Sequence, residues 1–201
     1  MRTAICVALA VSFLTVEGIA QRRTILEMVF DTNGPLNLET HADPPPISLT
    51  ELVQRSDMIV RGTVTEVNSS LSSDGTDIYT DLTLGNVTFL HSAEPAIATK
   101  PGPPSPLIIT QLGGTVTIAG YPVRQTLQNL PLLARGDEAI FLLVRGSGKL
   151  LISGQYLGVF GIEGNRVVPL TRTEWFAREH RGKTVDQFVR EIATIAAAQR
   201  Q

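Results

Sequence analysis

The segment IYTDLTLGNVTFL, residues 78–90, changes its hydrophobic parity half-way along. Ile78, Thr80, Leu82 and Leu84 alternate onto one face, whereas Val87 and Phe89 fall on the opposite parity. A strand has a side-chain period of two, so one face stays apolar only if a residue is inserted at the switch. Gly85-Asn86 stands there, and glycine suits a β-bulge. A long strand bent in this way can coil and serve both halves of a small barrel.

The neighbouring segments fit that constraint. MIVRGTVTEV, residues 58–67, places Met58, Val60, Gly62 and Val64 on one side and Arg61, Thr63 and Thr65 on the other. That is the period of a half-buried strand. Further strands are predicted over 107–112, 115–118, 138–145, 149–153, 156–162 and 166–168. AIFLLV, residues 139–144, is apolar on both parities and calls for cover on its outer side as well. A C-terminal helix supplies it. Thr184 and Gln187 have capping-box spacing, and Val185, Phe188, Val189, Ile192, Ile195 and Ala196 make a stripe at helical spacing. Ser48 and Glu51 mark the start of another short helix, and a third is expected over 174–179. Short antiparallel strands, one of them bulged, with helices at the ends, fit a small closed barrel. The strand–helix alternation of a doubly wound fold is absent from the pattern.

The first residues read as a secretory signal. Arg2 is followed by an apolar run over 5–16, and Gly18 and Ala20 occupy the −3 and −1 places before Gln21. The apolar run is shorter than the ~20 residues needed to span a bilayer. The expected location is therefore secreted or periplasmic, after cleavage near Ala20-Gln21, with no membrane span. Cys6, the single cysteine, lies inside that run, so the mature core must hold without disulfides. The expected divisions are a signal peptide over 1–20, an extended arm over 21–47 ending in ADPPP, a barrel over 48–170 and a helical segment over 171–201. Residues 94–106, EPAIATKPGPPSP, read as a loop.

Net charge is −2, with no basic excess to neutralise a phosphate backbone, so nucleic acid is not an expected partner. His41, His91 and His180 stand apart without metal-ligand spacing, and neither a metal nor a cofactor is called for. Serine occurs in no nucleophile motif. SSDGTD, residues 72–77, lacks the later glutamate of a calcium loop and reads as a turn. GSGK, residues 146–149, lacks the upstream glycine and the following hydroxyl of a phosphate loop, and reads as a hairpin turn. Arg135-Gly136-Asp137 abuts a buried run and reads as the turn before it. Asp57, Asp81, Glu138 and Glu163 lie in or beside strands; a hydrolase would need such carboxylates to meet in one pocket. Asn68 and Asn86 head glycosylation triplets.

RSDMIVRGTVTEV, YTDLTLGNVTFLHS and GDEAIFLLVRG, taken in order, resemble the N-terminal domain of the tissue inhibitors of metalloproteinases and their netrin-like relatives. With Gly113-Gly114 in the middle and GVFGI late, the chain also resembles an uncharacterised family of exported bacterial proteins. The resemblance covers about residues 48–170. It implies an OB-fold barrel whose first strand follows a short helix. With the helices read over 171–201 packed on it, the expected fold is mainly β, a small closed antiparallel OB-like barrel with a short N-terminal helix and C-terminal helices. The inhibitors' zinc-binding N-terminal cysteine has no counterpart here, and Leu90-His91-Ser92 stands where the relatives have Lys-Gly. Inhibitory residues are therefore not carried over. The expected function is a non-enzymatic binding domain for an unknown protein or envelope component. Its expected surface lies around Arg61, Thr63, Tyr79 and Asp81. Two alternatives are a protease inhibitor acting through the arm or the proline-rich loop, and a structural part of an envelope complex.

Overall fold

The computed structural model describes residues 23–41, 46–92, 106–128, 130–154 and 156–198. The expected signal peptide, most of ADPPP and nearly all of the proline-rich loop lie outside them. The described chain is mainly β, with four helices: α1 (Ile25–Thr32), β1 (Leu36–Thr40), α2 (Leu49–Arg55), β2 (Met58–Leu71), β3 (Ile78–Ser92), β4 (Leu107–Leu112), β5 (Gly114–Ile118), β6 (Tyr121–Leu127), β7 (Glu138–Gly146), β8 (Lys149–Ile152), β9 (Val159–Glu163), β10 (Arg166–Pro169), α3 (Glu174–His180) and α4 (Val185–Ala198). Among the described residues no helix is long and apolar enough to cross a membrane.

Seven strands form one sheet in the order β10-β9-β7-β2-β3-β4-β8, and β7 also pairs with β8. The parity switch is where the sequence places it. Arg61 faces Thr88 while Thr63 faces Gly85, so two residues of β3 stand opposite Gly62 alone. Asn86 takes a left-handed φ of 51° to make the bulge. A second irregularity, in which Thr65 is the extra residue, lies on β2 just beyond it.

The two parities of β7 serve two cores, as its apolar run requires. Ala139, Phe141 and Leu143 pack with Met58, Val60, Val64, Leu82 and Ile109. Ile140 and Leu142 pack on the other side with Leu52, Phe160, Phe176, Phe188 and Ile192. The second group unites α2, α3 and α4 over the outer face of β7 and β9. Ser48 and Glu51 close the capping box of α2, and Thr184 and Gln187 exchange the same pair of hydrogen bonds before α4.

The segment expected to be an extended arm is folded. Thr24 and Glu27 form a capping box, α1 buries Ile25 and Val29 completely, and β1 pairs in parallel with β6. With β5 these make a separate three-stranded sheet, β1-β6-β5. Strand β6 was not expected, because Pro122 interrupts its apolar pattern. Pro122 stands beside the Ala119-Gly120 turn, where both residues have positive φ and reverse the chain in two residues. The strand expected over 156–162 begins only at Val159. Residues 156–158 form a turn in which Gly158 N–H donates to the Ser153 carbonyl at 3.1 Å.

One side chain joins the two sheets. Gln125, almost fully buried, accepts from Ile78 N–H at 2.5 Å and donates to Asp77 Oδ1 at 2.9 Å and Thr40 Oγ1 at 3.0 Å. It spans β6, β1 and the start of β3 at once. Gln125→Ala would leave the buried Ile78 N–H unpaired and should lower the unfolding free energy by about 2 kcal/mol. Urea denaturation checks this, and an unchanged midpoint would refute the bridging role.

Candidate functional site

Strands β4 and β8 meet at a single aligned pair, Thr110 with Leu151. On one side of that pair they flank a cleft of about 600 Å³. Met58, Leu107, Ile108 and Leu150 give it apolar walls, and Asp81, Thr110, Arg145 and Lys149 supply the polar groups. The volume is that of a site for a small ligand or a few side chains of a partner.

The polar groups are mutually ordered. Asp81 sits on β3 directly across from Thr110 on β4, and the Thr110 hydroxyl donates to Asp81 Oδ1 at 2.5 Å. Lys149 Nζ donates to the same oxygen at 3.5 Å and lies 6.0 Å from the centre of the Tyr79 ring. Lys149 owes its position to Ser147 and Gly148, whose positive φ values turn β7 back into β8. GSGK is thus the hairpin turn that the sequence indicates, and its lysine head lies over β3. Asp57 Oδ2 accepts from Arg145 N–H at 2.7 Å, fixing the β7 end of the cleft to the start of β2. Ile108 is the exposed apolar residue of the rim, 48% accessible.

Of the four residues expected to mark a binding surface, Asp81 lines this cleft and the Tyr79 ring lies near it, 6.0 Å from Lys149 Nζ. Arg61 and Thr63 do not. They lie on β2 beside β7, where Arg61 Nε donates to Glu138 Oε1 at 2.7 Å and Thr63 aligns with Glu138. The surface is therefore divided into two places. Asp81 is held by Thr110 and Lys149, Glu138 by Arg61, and Glu163 aligns with Arg166 at the β9–β10 turn. Asp81, Glu138 and Glu163 are thus held by different neighbours.

Sequence reasoning did not find Thr110, Arg145, Lys149 or Ile108. Nothing local marks them, because the cleft exists only once β8 comes alongside β4. The remaining motifs resolve into structure. In the 72–77 turn, Ser72 Oγ and Thr76 donate to Asp74, and these hydrogen bonds hold its carboxyl below the usual range. Asp137 Oδ2 accepts from Ala134 N–H at 2.7 Å, and Gly136, with φ 97°, donates its N–H to the Val64 carbonyl. The Arg-Gly-Asp tripeptide is a turn tied to β2. His41 contacts Gln128 through Nδ1 at 2.6 Å, and among the described residues no three His, Cys, Asp or Glu gather as a metal set. In comparisons with known proteins, no family model matches the chain and no curated sequence is significantly similar to it.

Proposed function

We propose that this chain is an exported, non-enzymatic binding domain built on an OB-type barrel, and that it holds a protein partner in the cleft between β4 and β8. The barrel reading is supported by the pairing order. β2 pairs with β3, β3 with β4, β4 in parallel with β8, β8 with β7, and β7 with β2. Five strands joined in a ring, with one parallel contact between the third and the fifth, are what the resemblance to the netrin-like and metalloproteinase-inhibitor domains implies. The binding face of such barrels lies over the second and third strands and the turn between the last two. Here those are β3, β4 and the 147–148 turn, which surround the cleft.

The observation that carries the functional reading is the convergence of Asp81, Thr110 and Lys149 beside exposed Ile108. Charged and apolar groups placed side by side suit a partner that inserts an apolar side chain and pairs its neighbour with the rim. Inhibition of a protease through the N-terminal arm loses its support, since α1 and β1 are packed against β6 and the 72–77 turn. Membership of an envelope complex is a particular case of partner binding and meets the same test.

A photo-crosslinking amino acid at position 108, in the cells that make the protein, should capture one partner. The same group at exposed Thr88 should not. Lys149→Glu should reduce capture at position 108 at least tenfold while leaving the thermal midpoint within about 2 °C, because surface pairs contribute little to stability. Equal capture at positions 88 and 108, or capture insensitive to Lys149→Glu, would overturn the assignment.

A further inference from the structure

His180 ends α3 and is completely buried. Its ring stands among three phenylalanines, with centroids 5.8 Å from Phe160 on β9, 4.8 Å from Phe176 on α3 and 6.1 Å from Phe188 on α4. Nδ1 lies 3.3 Å from Lys183 Nζ. An ammonium group only donates, so Nδ1 must keep its lone pair and Nε2 must carry the proton of the neutral ring. Among the described residues Nε2 has no hydrogen-bond partner, and Glu179 Oε2 is 3.9 Å away. Lys183 Nζ also donates to Glu191 Oε2 on α4 at 2.6 Å. A polar relay, His180–Lys183–Glu191, thus links the end of α3 to the middle of α4 from inside an aromatic cluster.

We propose that the α3–α4 cover is an acid-released latch, held closed by neutral His180 and opened when that imidazole takes up a proton. A second proton would replace the acceptor lone pair on Nδ1 with an N–H facing the Lys183 ammonium. The relay must then break, and a full charge is left among three rings. The charged groups facing the imidazole are Glu179 from α3, Lys183 from the connecting loop and Glu191 from α4, while β9 presents Phe160. Burial and Lys183 oppose protonation and the two glutamates favour it; burial is the largest influence, so the His180 pKa lies below its usual value.

The sign follows from linkage. With the cover open, His180 titrates near the ordinary value of about 6.5. Above that pH both states are neutral and closure has its full strength. As pH falls through it, the open state binds a proton that the closed state does not. Each further unit favours opening by up to about tenfold, until the lowered pKa of the closed state is reached. Release is local for two reasons. Helix α3 has only seven residues, and its N-cap, Thr173, makes no side-chain capping bond. The core on the other side of β7 contains no residue of α3 or α4.

Amide hydrogen exchange on the full chain, corrected for the intrinsic pH dependence of exchange, tests the latch. Between about pH 7.5 and 5.5, protection across α3 and α4 should fall by up to about tenfold, while β2 and β3 keep theirs. Trp175, the single tryptophan, packs edge-on to Phe176 at 5.4 Å, and its fluorescence should report the same transition. His180→Phe fills the cage without a titrating group and should abolish the pH dependence. Flat protection in the native chain, loss in β2 and β3 in step with α4, or a pH response surviving in His180→Phe would each overturn the proposal. If that variant fails to fold, the imidazole resonance of the native chain decides. It should titrate only together with the loss of α4 protection, and titration near pH 6.5 with α4 still protected would overturn the latch.

Discussion

Phe160→Ala should destabilise the protein by about 3–5 kcal/mol, the largest effect expected of any single truncation in this core. Phe160 is fully buried on β9, and its ring centre lies 4.5 Å from Phe188 and 5.8 Å from Phe176. It is the point at which the sheet meets both C-terminal helices. Deletion removes the ring's transfer energy and leaves a cavity walled by two other rings and His180, none of which can close the space without leaving its own rotamer. Urea unfolding of the variant should show the loss directly. Phe160→Leu, which refills most of the volume, should recover more than half of it. A loss under about 1 kcal/mol for the alanine variant would mean that the helices stand without the aromatic cluster.

Gly158→Ala should cost about 3 kcal/mol, although it adds one methyl group. A Cβ at this position would lie 2.6 Å from the Ser153 carbonyl oxygen and 3.0 Å from that of Leu142. Both are backbone atoms already committed. Gly158 N–H donates to Ser153, Ser153 N–H donates to Leu142, and the Gly158 carbonyl accepts from Leu142 N–H at 2.8 Å. The methyl cannot be accommodated by rotating a side chain; the turn must leave β7 and give up some of those bonds. Thermal unfolding should show a midpoint lowered by roughly 8 °C or more. A midpoint equal to that of the native chain would show that the 153–158 turn adapts freely.

Much of the architecture is legible in local pattern, because local pattern is where side-chain period and capping chemistry act. The parity switch at Gly85-Asn86, the two-faced apolar run of β7 and the capping boxes at Ser48 and Thr184 each became the element they indicated. Helix α1 carried the same signal in Thr24 and Glu27, and the proline-rich stretch that follows obscured it. Strand β1 could not be read in that way. Its alternation, Leu36 and Leu38 against Asn37 and Glu39, is regular but only five residues long, and its pairing partner β6 is a distant part of the chain. The candidate site divides along the same line. Tyr79 and Asp81 follow from the alternation of β3, whereas Thr110, Arg145 and Lys149 become neighbours only through the contact of β4 with β8. Separating Arg61 and Thr63 from Asp81 likewise required the register, in which Asp81 faces Asn68 and Arg61 faces Thr88.

The parallel pair of β1 and β6 has a consequence for the order in which the molecule assembles. The β5–β6 hairpin closes across a two-residue turn and can form in microseconds, whereas β1 must wait for nearly half of the chain to be arranged behind it. Docking of α1 and β1 is accordingly expected to follow that hairpin. Until it happens, β6 presents one bare edge, and the Gln125 side chain lacks its partner on Thr40. A nascent molecule with that edge open is a template for another copy's β1, so this docking step is exposed to strand exchange between chains.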